Sequence, residues 1–201
     1  MARKAVLWDL GNVLLDWSPA YLYRKIFDTE DAVQDFLGRV CTMDWHGAHD
    51  RGVPMAENRR ALIAQYPELE AAITAWETRF PEMLQGSIPG TAEAIEALAA
   101  AGVPQYALTN LPAEWVEPVN RIYPAMRHMR DTIVSAHERV VKPDQRIYEI
   151  TAQRLPHDPA DVVFFDDREA NVIAARRFGF DAEQFTGETK LLADLRDRGL
   201  L

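Results

Sequence analysis

The chain has 201 residues, of which 48% are hydrophobic and 26% charged, so it is large enough for a folded core and too apolar for a disordered protein. Its formal net charge of −9 argues against nucleic acid and anionic membranes as partners, since both need a basic face. The single cysteine, Cys41, allows no disulfide within the chain, and no apolar stretch reaches the length of a membrane span. We therefore expect a cytoplasmic protein, either a monomer or a homodimer.

Strand and helix patterns alternate along most of the sequence. Short, continuously apolar runs predict buried strands at 5–8, 105–108, 132–134 and 162–165. Helical patterns follow at 91–101, 143–154 and 168–178. This alternation predicts an α/β fold whose core is a Rossmann-like doubly wound parallel sheet with right-handed crossovers.

The region from Ser18 to Leu84 breaks this alternation, because its patterns are helical and show no convincing strand. The helical patterns fall at 21–27, 32–40, 56–65 and 69–80. The region is too long for a single crossover, and an unstructured loop of that length is implausible in a compact domain. We predict that residues 18–84 form an inserted helical cap domain, and that residues 1–17 and 85–201 form the core.

Polar residues stand at or just beyond the end of each predicted strand. In chain order they are Asp9, Thr109, Asn110, Lys142, Asp166 and Asp167. In an open parallel sheet, ligands bind at the carboxyl ends of the strands, so these side chains are expected to meet. Neighbouring buried carboxylates repel each other unless a cation binds them, and an all-oxygen set favours Mg²⁺. A carboxylate beside a cation, a lysine and a hydroxyl is suited to forming an aspartyl-phosphate intermediate.

Four motifs carry a resemblance to a known family. In chain order they are W-D-L-G-N-V-L with Asp9, A-L-T-N with Thr109, V-K-P-D-Q-R-I-Y with Lys142, and F-F-D-D-R-E-A-N with Asp166, Asp167 and Asn171. The chain resembles the haloacid dehalogenase-like (HAD) hydrolases, and the helical insertion resembles that family's small C1-type cap. The spelling D-L-G-N-V resembles a branch of sugar-phosphate phosphatases that includes α-glucose-1-phosphate phosphatase.

The resemblance implies a role for each motif residue. Asp9 would attack the substrate, Thr109 would bind the phosphoryl group, and Lys142 would support both. Mg²⁺ would be held by Asp9, the backbone carbonyl of Gly11 and Asp167, with Asp166 nearby. Asn171, four residues after Asp167 on the same helix face, would support this set. The set predicted to bind the substrate and its phosphate comprises Asn12, His46, Thr109, Asn110, Lys142 and Tyr148.

Gly11 departs from the family pattern. Most phosphatases of the family carry a second aspartate there, which protonates the leaving alcohol and later activates water. Glycine cannot do this, and a missing general acid typically costs about 10² to 10⁴ in rate. The polar stretch at residues 43–52 is a candidate source of the proton carrier, through His46, His49 or Asp50. The alternative for the two histidines is a position on the cap surface.

The sequence thus predicts a Mg²⁺-dependent phosphatase that acts on a small phosphorylated molecule, with a sugar phosphate as one candidate. Two alternatives stay open. A 2-haloacid dehalogenase would use the same aspartate nucleophile without metal, although such enzymes usually carry a tyrosine at the Gly11 position. A non-catalytic binding or regulatory protein would explain the missing acid, although it would have no need of the nucleophile, the lysine and the metal ligands.

Overall fold

The computed structural model describes residues 4–201, and its centre is a parallel sheet flanked by helices. The strands are β1 (Ala5–Trp8), β2 (Leu15–Trp17), β3 (Leu84–Ser87), β4 (Gln105–Thr109), β5 (Met129–Val134), β6 (Val162–Asp166) and β7 (Asp181–Gln184). Five of them form the parallel sheet, in the order β5-β4-β1-β6-β7. The predicted α/β class and parallel sheet are confirmed.

Eleven α-helices occur in the described part of the chain. They are α1 (Pro19–Tyr23), α2 (Glu30–Arg39), α3 (Met43–Asp50), α4 (Met55–Ile63), α5 (Glu70–Thr78), α6 (Thr91–Ala100), α7 (Val116–Ile122), α8 (Ser135–Glu138), α9 (Gln145–Arg154), α10 (Glu169–Phe178) and α11 (Glu188–Asp197). Within residues 4–201 no helix combines the length and the apolar character that crossing a membrane requires.

Side chains of the central strand β1 point alternately to the two faces of the sheet, and both faces are covered. Val6 and Trp8 belong to one cluster of buried residues, while Ala5 and Leu7 belong to a second. All four are completely buried, as the alternation of a strand between two helix layers requires. This double burial explains why the strands read as continuous apolar runs in the sequence.

The register of the sheet brings the ends of its three central strands to one edge. Trp8, the last residue of β1, lies beside Ala107 in β4 and Phe165 in β6. The chain leaves β1 towards β4 on one side and reaches β6 on the other, so β1 lies at the switch point of the sheet. Ligands of such sheets bind at this point, beyond the carboxyl ends of the strands.

An antiparallel pair, β2 and β3, encloses the helical region that the sequence predicts as a cap. Leu15 pairs with Ser87 and Trp17 with Leu84, and helices α1 to α5 lie between the two strands in the chain. Neither strand is predicted from the sequence, because three or four residues are too few to show a period. The division into a core and a cap at residues 18–84 stays a prediction.

Several helices begin at a side chain that accepts a hydrogen bond from the first turn. Thr29 accepts from Ala32 N–H before α2, and Thr42 accepts from Trp45 N–H before α3. The helix predicted to start at Pro143 starts instead at Gln145, because Asp144 is the capping residue and accepts from Arg146 N–H at 2.8 Å.

We predict that truncating the centre of the sheet will destabilise the protein. Leu7 is fully buried in β1, so Leu7→Ala should lower the free energy of unfolding by about 2–5 kcal/mol. Ile173 on α10 is 41% exposed, and Ile173→Ala should change it by about 0.5 kcal/mol or less. Denaturant unfolding of the two variants checks this, and equal losses would contradict the assignment of the core.

Candidate active site

Three carboxylates meet at the carboxyl edge of the sheet. Asp9 follows β1 and continues its pairing, since Asp9 N–H donates to Phe165 O at 2.9 Å. Asp166 is the last residue of β6, and Asp167 follows it. One oxygen from each of the three side chains lies within 4.8 Å of the other two. The structure therefore brings together the three acids that the sequence places at strand ends.

Lys142 joins two of these carboxylates. Its side chain is almost fully buried, and Nζ lies 2.8 Å from Asp9 Oδ1 and 2.6 Å from Asp166 Oδ2. The same Nζ donates to the carbonyl of Leu108 at 3.0 Å. Asn110 fixes the backbone of Lys142 at both ends, accepting from its N–H at 2.9 Å and donating to its carbonyl at 3.1 Å. The predicted ligand Asn110 thus uses its amide to position the lysine.

Asp166 is saturated by protein donors. Besides Lys142, it accepts from Arg168 N–H at 2.9 Å and from the Asn171 amide at 2.9 and 3.0 Å. Burial opposes ionisation of this carboxyl, but the ammonium of Lys142 and these donors outweigh it, and its pKa is lowered. We infer that Asp166 mainly holds Lys142 in place, and its expected position near a metal ion stays a prediction.

The cluster has more negative charge than its lysine balances. Burial raises the pKa of Asp9 well above its ordinary value, with Lys142 acting in the opposite direction. Burial and the neighbouring Asp166 likewise raise the pKa of Asp167. A divalent cation would relieve this repulsion, and an all-oxygen donor set of this kind fits Mg²⁺. Asp9 and Asp167, with the carbonyl of Gly11, are the residues that could hold it.

An open pocket of about 760 Å³, a volume that includes solvent at its mouth, lies over the carboxylates. Thr109 and Asn12 both line it, and their contact with a phosphate stays a prediction. The remaining wall is largely apolar and comes from the insertion, its two flanking strands and the segment after β4. Its main residues are Leu15, Trp17, Met43, Phe80, Leu84 and Trp115.

His46 lines this pocket from helix α3 and is only 4% exposed. Its ring stacks on Trp17 and Trp115, with ring centroids 5.7 and 5.2 Å away. Trp76 Nε1 donates to His46 Nδ1 at 3.2 Å. Burial lowers the pKa of His46 to about 3, so the ring is neutral and carries its proton on Nε2. A position on the cap surface, the alternative drawn from the sequence, is wrong for this histidine.

His49 is also buried, at 1% exposure, but it does not line the pocket. Its Nε2 lies 2.9 Å from the amide of Asn58, and its ring forms a T-shaped pair with Trp45, with ring centroids 4.6 Å apart. Burial lowers the pKa of His49 to about 4. The surface interpretation is wrong here too, and His49 has no access to a pocket substrate.

Asp50 reaches the pocket from the C-terminal end of α3. Its side chain is 13% exposed, and Oδ1 lies 3.6 Å from His46 Nε2, beyond hydrogen-bond distance. That oxygen is buried without a hydrogen-bond partner among residues 4–201. Burial raises the pKa of Asp50 from 3.8 to about 7, with Arg51 and Lys142 acting to lower it.

Tyr148 requires a correction. It has no exposed surface and lies in the core beneath the site, near Phe164 and Phe180. Its hydroxyl donates to the carbonyl of Asn171 at 2.9 Å. The predicted contact with substrate is wrong because the side chain points into the core, where it supports the residue that holds Asp166.

The apolar wall of the pocket is not predicted from the sequence. Trp17 and Leu84 lie in the short strands β2 and β3, and Phe80 lies at the end of the helical insertion. Their residue types are those of ordinary core positions, so nothing in the pattern separates a pocket wall from a packed interior. An unpredicted hydrogen bond, from Leu111 N–H to Ser135 Oγ at 3.1 Å, also fixes the loop after Thr109.

Comparison with known proteins identifies the family of this chain. The family described as haloacid dehalogenase-like hydrolase matches residues 3–179. The chain belongs to this family. The predictions of a HAD-like fold and of a hydrolase are therefore confirmed.

Relatives of the chain include named phosphatases. The chain is 27% identical to the sesquiterpene phosphatase astK of Aspergillus oryzae over 199 residues, covering 96% of this chain and 95% of that protein. It is 28% identical to a phosphorylated carbohydrates phosphatase of Thermotoga maritima over 188 residues, covering 89% and 82%. These relatives bear out the expected class, a phosphoric monoester hydrolase.

A solved structure shows the same fold. A HAD family enzyme from Bacteroides thetaiotaomicron, in complex with magnesium and inorganic phosphate, superposes with a TM-score of 0.68. The two chains are 18% identical, and the match covers 92% of this chain and 96% of the other.

We predict that Mg²⁺ will stabilise the folded protein through the acidic cluster. At a concentration 100 times the dissociation constant, the gain should be about 2.7 kcal/mol, visible as a rise in Tm. Asp167→Asn removes one ligand charge and should abolish most of the rise. Asp35→Asn makes the same change at an exposed position on α2 and should leave the rise intact. An equal rise in all three proteins would place the ion elsewhere.

We predict that Asp50 makes the free energy of unfolding depend on pH. The folded chain keeps a proton on Asp50 up to pH of about 7, whereas the unfolded chain releases it near 3.8. The unfolded state therefore binds fewer protons between these values, and this contribution falls as pH rises, by about 1.4 kcal/mol per unit of raised pKa. Asp50→Asn should stabilise the metal-free protein more at pH 8 than at pH 4.5. A gain that is equal at both pH values would contradict this burial effect.

Proposed function

We propose that the protein is a Mg²⁺-dependent phosphatase that cleaves a small phosphate monoester through an aspartyl-phosphate on Asp9. The observation that carries the proposal is the cluster of Asp9, Asp166 and Asp167 around Lys142 at the base of the pocket. This arrangement provides a nucleophile, a fixed positive charge and a place for a divalent cation at one point.

Each residue of the site has a separate role in phosphoryl transfer. Leu10 N–H at 2.7 Å and Lys142 Nζ at 2.8 Å hold Oδ1 of Asp9 and fix the nucleophile. Its attack on phosphorus expels the alcohol, and water then hydrolyses the aspartyl-phosphate to return the free carboxylate. Lys142 balances charge on the attacking carboxylate, and the Thr109 hydroxyl binds the phosphoryl group. Mg²⁺ would supply Lewis-acid stabilisation of the phosphoryl oxygens.

The pocket wall bears on the alcohol part of the substrate. Trp17, Phe80 and Trp115 contribute aromatic rings to the pocket wall, and Phe80 stacks on Trp115. Such a surface suits an alcohol with an extended C–H face. A sugar phosphate and an isoprenoid phosphate both fit this description, and relatives are named for each kind.

The dehalogenase alternative fits the electrostatics less well. A dehalogenase nucleophile must be ionised without help from a metal. Here burial raises the pKa of Asp9, and the nearby Asp166 and Asp167 raise it further. Three carboxylates around one lysine favour a reaction that uses a bound divalent cation.

Phosphate release from an aryl phosphate tests the proposal. We expect turnover that requires Mg²⁺, stops with chelator and falls by roughly 10³-fold or more in Asp9→Asn. Asp35→Asn, with the same change outside the pocket, should retain full activity. Active protein is then assayed on sugar phosphates and prenyl phosphates.

Two other outcomes would replace the proposal. Halide release from 2-haloacids in the presence of chelator would identify a dehalogenase. A folded protein that turns over neither substrate class would support the binding or regulatory alternative.

A further inference from the structure

The site lacks a proton donor at the position where the family pattern places one. Gly11 lines the pocket next to Asp9, and a Cβ added there would meet no atom within 4 Å. An alcohol that leaves without a proton departs as an alkoxide, and general acid catalysis typically contributes about 10² to 10⁴ in rate. The site thus has open space at Gly11, and the acid that protonates the leaving alcohol has to be another residue.

Helix α3 brings two titratable side chains to the same pocket. His46 and Asp50 are four residues apart, so they lie on one face of the helix, and both line the pocket together with Asp9 and Lys142. Trp17 and Trp115 stack on the imidazole, and Trp76 donates to its Nδ1. This packing fixes the ring and, with it, the face that α3 presents to the substrate.

His46 is unsuited to be the acid. Its Nδ1 already accepts a hydrogen bond from Trp76 at 3.2 Å, so protonation there would break that contact. Burial among aromatic rings keeps the imidazole neutral, and its one remaining proton, on Nε2, is too tightly held for transfer. The ring can only donate a hydrogen bond, to the substrate or towards Asp50.

Asp50, unlike His46, is suited to give and take a proton. Its Oδ1 is buried without a hydrogen-bond partner in the described chain, an expensive arrangement for an ionised carboxylate. The charged and titratable groups that bear on it are His46 at 3.6 Å, Arg51 next in the chain and Lys142 across the pocket. Burial outweighs the two cations and brings the pKa of Asp50 to about 7, where both protonation states are populated at neutral pH.

We propose that Asp50 is the general acid and base of the reaction, in place of the side chain that Gly11 lacks. The inference rests on the proposed phosphatase function. In the first step the Asp9–phosphorus bond forms, the bond from phosphorus to the alcohol oxygen breaks, and Asp50 gives its proton to that oxygen. In the second step Asp50 takes a proton from the attacking water while the Asp9–phosphorus bond breaks and inorganic phosphate leaves. Asp50 ends the cycle protonated, as it began.

Leaving-group dependence tests this role. A p-nitrophenyl group departs readily without a proton, whereas an alkyl alcohol does not. For Asp50→Asn, kcat/KM should fall by about 10² to 10⁴ with an alkyl phosphate and only a few-fold with p-nitrophenyl phosphate. The ratio kcat/KM isolates the first step, up to departure of the alcohol. A merely structural role would lower both values by the same factor and would overturn the proposal, as would unchanged activity on both substrates.

Restoring an acid at the open position gives a second test. Gly11→Asp in the Asp50→Asn background should raise the alkyl phosphate activity at least about tenfold, since the added Cβ meets no atom within 4 Å and Gly11 lines the open pocket. Gly11→Ala in the same background adds the Cβ without the carboxyl and should recover nothing. Recovery by both variants, or by neither, would contradict a missing proton donor.

Further controls distinguish a failure of this proposal from a failure of the phosphatase function on which it rests. Mg²⁺-dependent turnover of p-nitrophenyl phosphate by Asp50→Asn would show that the phosphatase function stands whatever the alkyl phosphate result. If Asp50→Asn does not fold, as judged by its Tm, Asp50→Ala removes the same proton and must give the same split between substrates. In the wild type, kcat/KM for the alkyl phosphate should decline as Asp50 ionises, and this decline should be absent in Asp50→Asn.

Discussion

The ammonium of Lys142 between Asp9 and Asp166 is the interaction on which the site depends. All three groups are buried, so each would be costly to hold alone at the end of the sheet. Removing one member of such a set leaves an uncompensated buried charge, which typically costs about 3–5 kcal/mol. The site and the stability of its surroundings are therefore linked through one charge.

A chain of hydrogen bonds carries this arrangement down into the core. The hydroxyl of Tyr148 donates to the carbonyl of Asn171, and the amide of Asn171 donates to both oxygens of Asp166. On the other side, Asn110 binds the backbone of Lys142 at its N–H and its carbonyl. The functional groups are thus held by two amide side chains and a buried tyrosine, which is how a preorganised site keeps its geometry.

How much of the fold and of the site could be predicted depends on whether the residues that determine each feature lie close together in the sequence. The strands and the acids at their ends were predictable, because Asp9 and Asp166 sit at the ends of continuously apolar runs and parallel strands share an edge. The burial of His46 was not, since it depends on Trp76 and on Trp115, which reach it only through the tertiary fold. The predicted substrate contact of Tyr148 is wrong for the same reason, since its position in the motif does not determine which way its side chain points.

Dividing nucleophile and proton carrier between two parts of the fold has a mechanistic consequence. Asp9 stands on the central sheet, whereas Asp50 stands on a helix of the insertion that β2 and β3 connect to it. An acid at Gly11 would keep a fixed distance from the nucleophile whatever the insertion did. An acid on α3 reaches the leaving oxygen only when the insertion lies over the substrate, so proton transfer, exclusion of water and recognition of the alcohol would all depend on the same placement of the insertion. An alcohol that packs against Trp17 and Trp115 would favour the state in which Asp50 can act, which makes the fit of the leaving group a requirement for its departure.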